Sequence, residues 1–491
     1  MDSSVEARQD YRLTYAVLVV GVTAYALLQS LVIPVLPTIQ SALHTSQSNA
    51  AWVLTMYLLS ASIFTPIVGR LGDLWGKKRL LVITLVGLAA GCAISALSQT
   101  LLVMLIGRAV QGIGGGLMPL AFGIVRDEFP KAKVPGAVGT TAAIVSAGSG
   151  AGLVLAGPIV SAASFRWLFW IPLICLVVAA VAAFFVVPDS APRTGSRVRW
   201  SGAALLSGWL VLLLVPLSEA SQWGWGSATT IGMLLAAAVV AALWVKVESA
   251  SDHPMIDMRL MRVPVVWTSN LVAFLFGVGM YANFAFLPQF LQTPKSAGYG
   301  FGLSVTQSGL ILLPSTVMMF LGGLATGRLT LRYGGRAVLI VGAVVSIVPF
   351  IMLATSRSQL WELALAMTLF GAGFGLVYSA MTTLIVEGVR MDETGVASGM
   401  NANIRTIGGS IGAAVMASAV TATSHGGGLP TNAGYTHGYL LLLVAAVAAG
   451  GAGFLVPGRL RPPTARQLAD ALPHPELGMV AGGTLLGDLP E

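Results

Sequence analysis

Charge is what this sequence has least of. Asp, Glu, Lys and Arg make up 9% of its 491 residues, while hydrophobic types make up 56%. Soluble domains carry about 25% charged residues, so a soluble globular fold is excluded. Cysteine is almost missing too: Cys92 and Cys175 both fall inside apolar segments, which rules out a disulfide framework and leaves no metal-ligand spacing. The five histidines avoid the centre of every apolar segment. Carboxylates are missing from the same places, for Glu219, Glu362 and Glu387 stand near segment ends and Asp73 and Asp127 in polar connections. A membrane enzyme would need clustered acids, a histidine or a nucleophile near one membrane face, and the sequence supplies none.

What it does have is long apolar runs. Each bilayer crossing takes about 20 apolar residues, and fourteen runs of that order begin near residues 13, 50, 79, 101, 136, 166, 200, 229, 264, 305, 335, 360, 400 and 437. The expected fold class is an all-α integral membrane protein with fourteen spans. The first run is too long for a signal-peptide core and no small-residue cleavage site follows it, so it counts as a span. Basic residues collect in cytoplasmic connections. With the N-terminus inside, 22 of the 27 lie on that side, Arg166, Lys295 and Arg357 lie outside, and Arg108 and Arg405 fall within spans. Both termini are therefore predicted to be cytoplasmic. The net charge of +8 follows from this topology, and nucleic acid is not an expected partner. The glycine-rich stretch 422–438 is expected to be a flexible external connection, and the Pro-rich segment 457–491 a disordered cytoplasmic tail.

Two spacings recur. "GRLGDLWGKKRLLVI" at 69–83 aligns with "GRLTLRYGGRAVLIV" at 327–341, an offset of 258. Gly139, Gly148 and Gly152 recur as Gly399, Gly408 and Gly412 at an offset of 260, which also pairs Asp127 with Glu387. Such steady offsets make residues 13–187 and 264–456 copies of one six-helix unit. The segment 188–263 is then an inserted helix pair, flanked by an N-terminal segment 1–12 and the tail 457–491. Parallel six-helix repeats, related by an axis along the membrane normal, form transporters with the substrate between the halves near the midplane.

On these motifs the chain resembles the major facilitator superfamily, in its fourteen-helix branch of drug:proton antiporters. The 69–79 connection is similar to the family's G-x3-D-[RK]-x-G-[RK]-[RK]: Gly69, Asp73, Gly76, Lys77 and Lys78 match, and Leu74 departs from the usual basic residue. The resemblance implies a cytoplasmic latch in which the lysines pair with Asp127 at the end of the fourth span. "MLIGRAVQGIGGG" (104–116) resembles the helix-4 motif whose arginine, here Arg108 with Gln111 three residues on, the family associates with proton transfer. A charge at bilayer depth costs about 2.5–3.5 kcal/mol on insertion scales and is usually functional. The helix-5 antiporter motif matches at Gly139, Gly148, Gly152 and Gly157, with Leu153 replacing Pro and Ala156 replacing Gly. It implies export, and Gly148 and Gly152, sharing one face, are expected to let a helix of the other half approach closely. "WVLTMYLL" (52–59) resembles the branch's opening of helix 2, with Tyr57 a candidate for the cavity wall.

The first span departs from the family. Leu28 stands where the usual Asp is expected and Ile33 where the Asn is. Arginine does not deprotonate in proteins, so a coupled proton would fall to Asp73, Asp127 or Glu387, with Arg108 tuning their affinity. A cavity holding Arg108 and Arg405 but no carboxylate offers nothing to offset the desolvation of a lone organic cation; neutral or anionic amphiphiles suit it better. Gln29, Asn270, Tyr281, Asn283, Tyr378, Asn401 and Asn403 are the other polar residues expected to face it. The resemblance thus implies a monomeric secondary exporter of drugs or other small amphiphiles. It would work by alternating access among the lipids of a bacterial-type inner membrane, driven by the proton gradient and needing no cofactor. Lipid or fatty-acyl translocation is the alternative, and a polytopic membrane enzyme a more distant one.

Overall fold

Proline and glycine interrupt the apolar runs where the helices themselves break. The computed structural model describes residues 11–45, 47–130, 133–189, 200–251, 254, 256, 258–389, 394–421 and 430–458. Helix α1 (Tyr11–Leu31) gives way to a 3-10 turn, Ile33–Val35, where Pro34 withholds a backbone N–H, and resumes as α2 (Leu36–Ala42). Then come α3 (Gln47–Trp75), α4 (Lys77–Ala96) and α5 (Leu101–Gln111), which tightens through the glycine-rich 3-10 turn Gly112–Gly116 into α6 (Leu117–Glu128). The chain continues as α7 (Val134–Ala162), α8 (Trp167–Val186), α9 (Trp200–Trp223), α10 (Ala228–Ser249) and α11 (Pro264–Gln292). It closes with α12 (Val305–Tyr333), α13 (Gly335–Thr355), α14 (Leu360–Gly388), α15 (Thr394–Thr421) and α16 (Asn432–Gly453). With α1–α2 and α5–α6 each taken as one span, fourteen among the described residues are long and apolar enough to cross a membrane. That is the number the apolar runs predict.

Polar side chains near the helix ends act as caps. Ser304 Oγ accepts from the Gln307 amide at 3.2 Å while Gln307 Oε1 accepts from the Ser304 amide at 3.0 Å, starting α12. Glu362 Oε2 accepts from the Ser358 and Gln359 amides at 2.9 and 3.0 Å, starting α14. Each satisfies amides that a helix start otherwise leaves unpaired.

The repeat seen in the sequence recurs in three dimensions. Gly76 and Gly334, the later glycines of the two aligned motifs, precede α4 and α13 with φ of +94° and +85°. Only glycine takes that conformation without strain. Gly76→Ala is expected to destabilise the protein by about 1–3 kcal/mol, read as a lower thermal unfolding midpoint of the purified protein, whereas Gly232→Ala, with nothing within 4 Å, leaves the midpoint unchanged or raises it. Gly91 and Ser95 of α4 press on Gly107 of α5, as Gly342 and Ser346 of α13 press on Gly373 of α14. Helix α1 packs on α7 and α8 as α11 packs on α15 and α16.

Helix α9 has its own seat. Leu206, Leu210, Leu214 and Leu217 of α9 form one buried stripe, clustered with Leu59, Ile67 and Leu71 of α3 and with Met400, Ile407 and Ala414 of α15. Helix α9 therefore covers the seam where α3 of the first half meets α15 of the second. It is tied to α3 by Trp52 Nε1, which donates to Glu219, and by Ser218 Oγ, 3.4 Å from Thr55 Oγ1. Arg8, Lys131, Arg193, Arg197, Arg199, Arg390, residues 422–429 and the tail from 459 lie outside the described residues.

Candidate functional site

The two ends of the bundle are conveniently named after the α3–α4 turn (the Lys77 end) and the α4–α5 turn (the Ser98 end). Between the halves, near mid-height, Gln29 Nε2 of α1 donates to Tyr281 Oη of α11 at 2.9 Å. Toward the Lys77 end of this bond the space is walled by Tyr25, Thr65, Met118, Phe122, Thr382, Ser398 and Asn401. Toward the Ser98 end it is walled by Ile33, Ser149, Leu153, Phe284 and Met319. Gln29, Val145, Tyr281, Tyr378 and Arg405 border both chambers. Arg405 lies with its guanidinium 4.5 Å from the centre of the Tyr378 ring, and its Nε is buried without a hydrogen-bond partner. No carboxylate among the described residues lines either chamber.

Four residues expected on the wall are elsewhere. Tyr57 is 1% exposed and lies against Arg108. Asn270 Oδ1 accepts from Asn401 Nδ2 at 3.0 Å, Asn283 Nδ2 lies 3.6 Å from the Met367 sulfur, and Asn403 is buried. For Asn270 the cause is the tight crossing of α11 and α15: a Cβ on Gly277 would come 2.1 Å from the Arg405 carbonyl, and one on Gly408 2.1 Å from that of Phe274. On so close a crossing Asn270 meets Asn401 instead of the cavity, whereas Asn283 turns to Met367 of α14. Tyr25, which sequence reasoning missed, was visible as the residue one turn before Gln29 on the same stripe.

Arg108 is also off the cavity wall. It is fully buried in the first half, where Nε donates to the Val53 carbonyl at 2.8 Å and Nη1 to Gln111 Oε1 at 2.7 Å. Gln111 Nε2 donates in turn to the Gly91 carbonyl and Ser95 Oγ, both at 3.0 Å. The Tyr57 ring, 4.3 Å from the guanidinium, supplies a π face. The cluster ties α3, α4 and α5 into one body. Since Gly107 corresponds to Gly373, Arg108 corresponds to Phe374, which stacks on Phe370 at 4.0 Å and meets Phe276 at 3.8 Å. One half has a polar core where the other is aromatic.

At the Lys77 end, Lys77 Nζ pairs with Asp127, Arg126 approaches Asp127 at 3.1 Å, and Lys78 lies 3.3 Å from the exposed Asp189. Both members of the Lys77 pair belong to the first half, so that bond does not itself join the halves. The joint is Pro119 of α6, wedged between Gly69 and Gly399; a Cβ on these would lie 3.3 and 2.9 Å from it. Asp73 lines a pocket there with Arg70, Lys77 and Arg126, opposite Gly399 and Met400 of α15. Glu387 is exposed at the end of α14 and lines neither chamber.

The glycines of α7 divide differently from expectation. Gly148 and Gly152 face α1 of their own half, at Ala26 and Ser30, whereas Gly150 and Gly157 face Thr316 and Thr306 of α12. Residues one turn apart share one face and residues two or five further on turn to another, so both neighbours of α7 are served. Gly139 and Gly327 have nothing within 4 Å, while Gly323 meets Ala143 at 3.5 Å. The α7–α12 seam is thus closed toward the Ser98 end and parts at the Lys77 end.

Comparison with known proteins bears on the family and the fold. The model described as Major Facilitator Superfamily matches residues 18–413. The chain is 30% identical over 407 residues to the tetracenomycin C resistance and export protein of Streptomyces glaucescens, covering 82% of this chain and 74% of that one. It is 25% identical over 429 residues to multidrug resistance protein 3 of Bacillus subtilis, covering 86% and 82%. The crystal structure of the human organic anion transporter MFSD10 superposes with a TM-score of 0.64 at 16% identity, over 91% of this chain and 100% of its own, a likeness of fold alone.

Proposed function

The chain belongs to the Major Facilitator Superfamily, and from that premise we propose that it exports small amphiphilic molecules across the cytoplasmic membrane, as a monomer, by alternating access. The observation that carries this is the cavity divided by the Gln29–Tyr281 bond, with Arg405 and Tyr378 shared between its two chambers. Rocking of the halves about that bond would open one chamber as it closes the other. The Lys77 end faces the cytoplasm in this scheme, on the strength of its basic residues. The word export in the name of the Streptomyces glaucescens relative supports the direction.

The apolar walls and the lone guanidinium favour neutral or anionic amphiphiles over cations. Proton antiport is the proposed energy source. With no carboxylate on the wall among the described residues, the proton is assigned to Asp127 or Asp73. Protonating Asp127 would release Lys77 and loosen α4 from α6, whose Pro119 is the joint with α15. The test is transport in proteoliposomes with an imposed pH gradient, scored over anionic, neutral and cationic substrates. Export accelerated by the gradient, and slowed about tenfold in Asp127→Asn by loss of the charge-assisted pair, is expected. Transport indifferent to the gradient, or gradient dependence intact with both Asp73→Asn and Asp127→Asn, would overturn the assignment.

A further inference from the structure

Two arginines are set within the spans, and their surroundings differ in a way that assigns them different work. Arg108 donates from Nε and Nη1 to Val53 and Gln111, keeps its buried Nη2 unpartnered, and borders neither chamber. Arg405 stands near the middle of α15 on the cavity wall, without an ion pair among the described residues and with its buried Nε unpartnered. The Tyr378 ring occupies one face of the guanidinium. Such stacking fixes the plane of the group and leaves its edge, the side that carries the N–H donors, for something else. An unpaired buried donor is costly to maintain, and Arg405, unlike Arg108, carries its own on a cavity wall that a ligand can reach.

The chemistry of that ligand follows from the wall. Resting on the exporter assignment above, we propose that Arg405 and Tyr378 form a subsite for a planar aromatic monoanion, a carboxylate or phenolate, whose oxygen meets the edge of Arg405. A guanidinium matches a planar oxyanion in geometry as well as charge. One guanidinium, with no second cation on the wall among the described residues, selects a single negative charge. The residue that corresponds to Arg405 in the first half, at the offset of 260, is Val145, which borders the same chambers; the ligand is therefore anionic at one side and apolar at the other. Tyr25, Tyr281 and Tyr378 supply ring faces for its aromatic plane. Tyr281 Oη already accepts from Gln29, so its own proton remains to be donated.

The experiment uses the full chain in lipid nanodiscs and three probes on one ring system: 9-anthracenecarboxylate, 9-anthracenemethanol and 9-(aminomethyl)anthracene, each titrated by fluorescence anisotropy. The parent protein is expected to bind the carboxylate at least about tenfold more tightly than the alcohol and the ammonium weakest. Arg405→Gln should abolish the preference for the carboxylate while leaving affinity for the alcohol unchanged, which also shows that the variant is folded. Arg405→Lys, a point charge without the fork, should keep only part of the preference. Equal affinity for carboxylate and alcohol in the parent, or a preference that survives in Arg405→Gln, would overturn the subsite. Carboxylate-selective binding without export in proteoliposomes would instead leave the subsite standing and overturn the exporter assignment.

Discussion

Arg108→Lys is expected to slow transport by roughly ten- to a hundredfold while the protein still folds. Lysine keeps the charge but loses the planar fork, so it cannot serve the Val53 carbonyl and Gln111 Oε1 together while lying against the Tyr57 ring. A charge-assisted hydrogen bond contributes about 1.5–3 kcal/mol, and each 1.4 kcal/mol is a factor of ten. Losing one loosens the body formed by α3, α4 and α5, which must turn as a unit when the halves rock. Were Arg108 merely a tolerated burden, Arg108→Leu would relieve the burial of a charge, about 2.5–3.5 kcal/mol on insertion scales, and transport would continue. Initial rates in proteoliposomes, set beside the thermal unfolding midpoint of each variant, separate the two outcomes.

The second large effect belongs to Gly157. A Cβ there would lie 2.4 Å from Thr306 Cα and 2.5 Å from its amide nitrogen, a backbone that cannot rotate out of the way. Gly157→Ala therefore strains the closed α7–α12 seam, and overpacking of this kind costs about 1–3 kcal/mol. The strain falls only on the state in which the seam is shut at the Ser98 end. A bias of that size shifts a two-state equilibrium about 5–150-fold, so the variant should dwell with the Ser98 end open and transport correspondingly slowly. Gly139→Ala on the same helix, with open space around it, is expected to transport at the parental rate. Equal rates for the two variants would remove the seam from the transport cycle.

Much of the fold was legible in the sequence because bilayer thickness leaves few options for an apolar run. The fourteen spans and the repeat at offsets of 258 and 260 reappear in the helices and in the matched Gly76 and Gly334 turns. What a helical face touches was not legible. Periodicity places Gly148 with Gly152, yet nothing in spacing says that they meet α1 and that Gly150 and Gly157 meet α12. Asn270 is as polar as Gln29, and only the closeness of α11 to α15 turns it onto Asn401, while Asn283 is turned to Met367 of α14. The seat of α9 was partly readable in Leu206, Leu210, Leu214 and Leu217, a stripe too regular for a helix facing lipid alone. Its link from Glu219 to Trp52 joins residues 167 apart, beyond the reach of any local pattern.

Alternating exposure of the two chambers can be watched directly with single cysteines at Ser149, on the Ser98-end chamber, and at Ser398, on the Lys77-end chamber, in a Cys92→Ala, Cys175→Ala background. A membrane-impermeant maleimide is applied from each side while a pH gradient is imposed and reversed. Reciprocal labelling is predicted, each cysteine reachable from one side only and one gaining reactivity as the other loses it. Labelling of both cysteines together, or reactivity that never changes with the gradient, would contradict a cavity that opens to one side at a time.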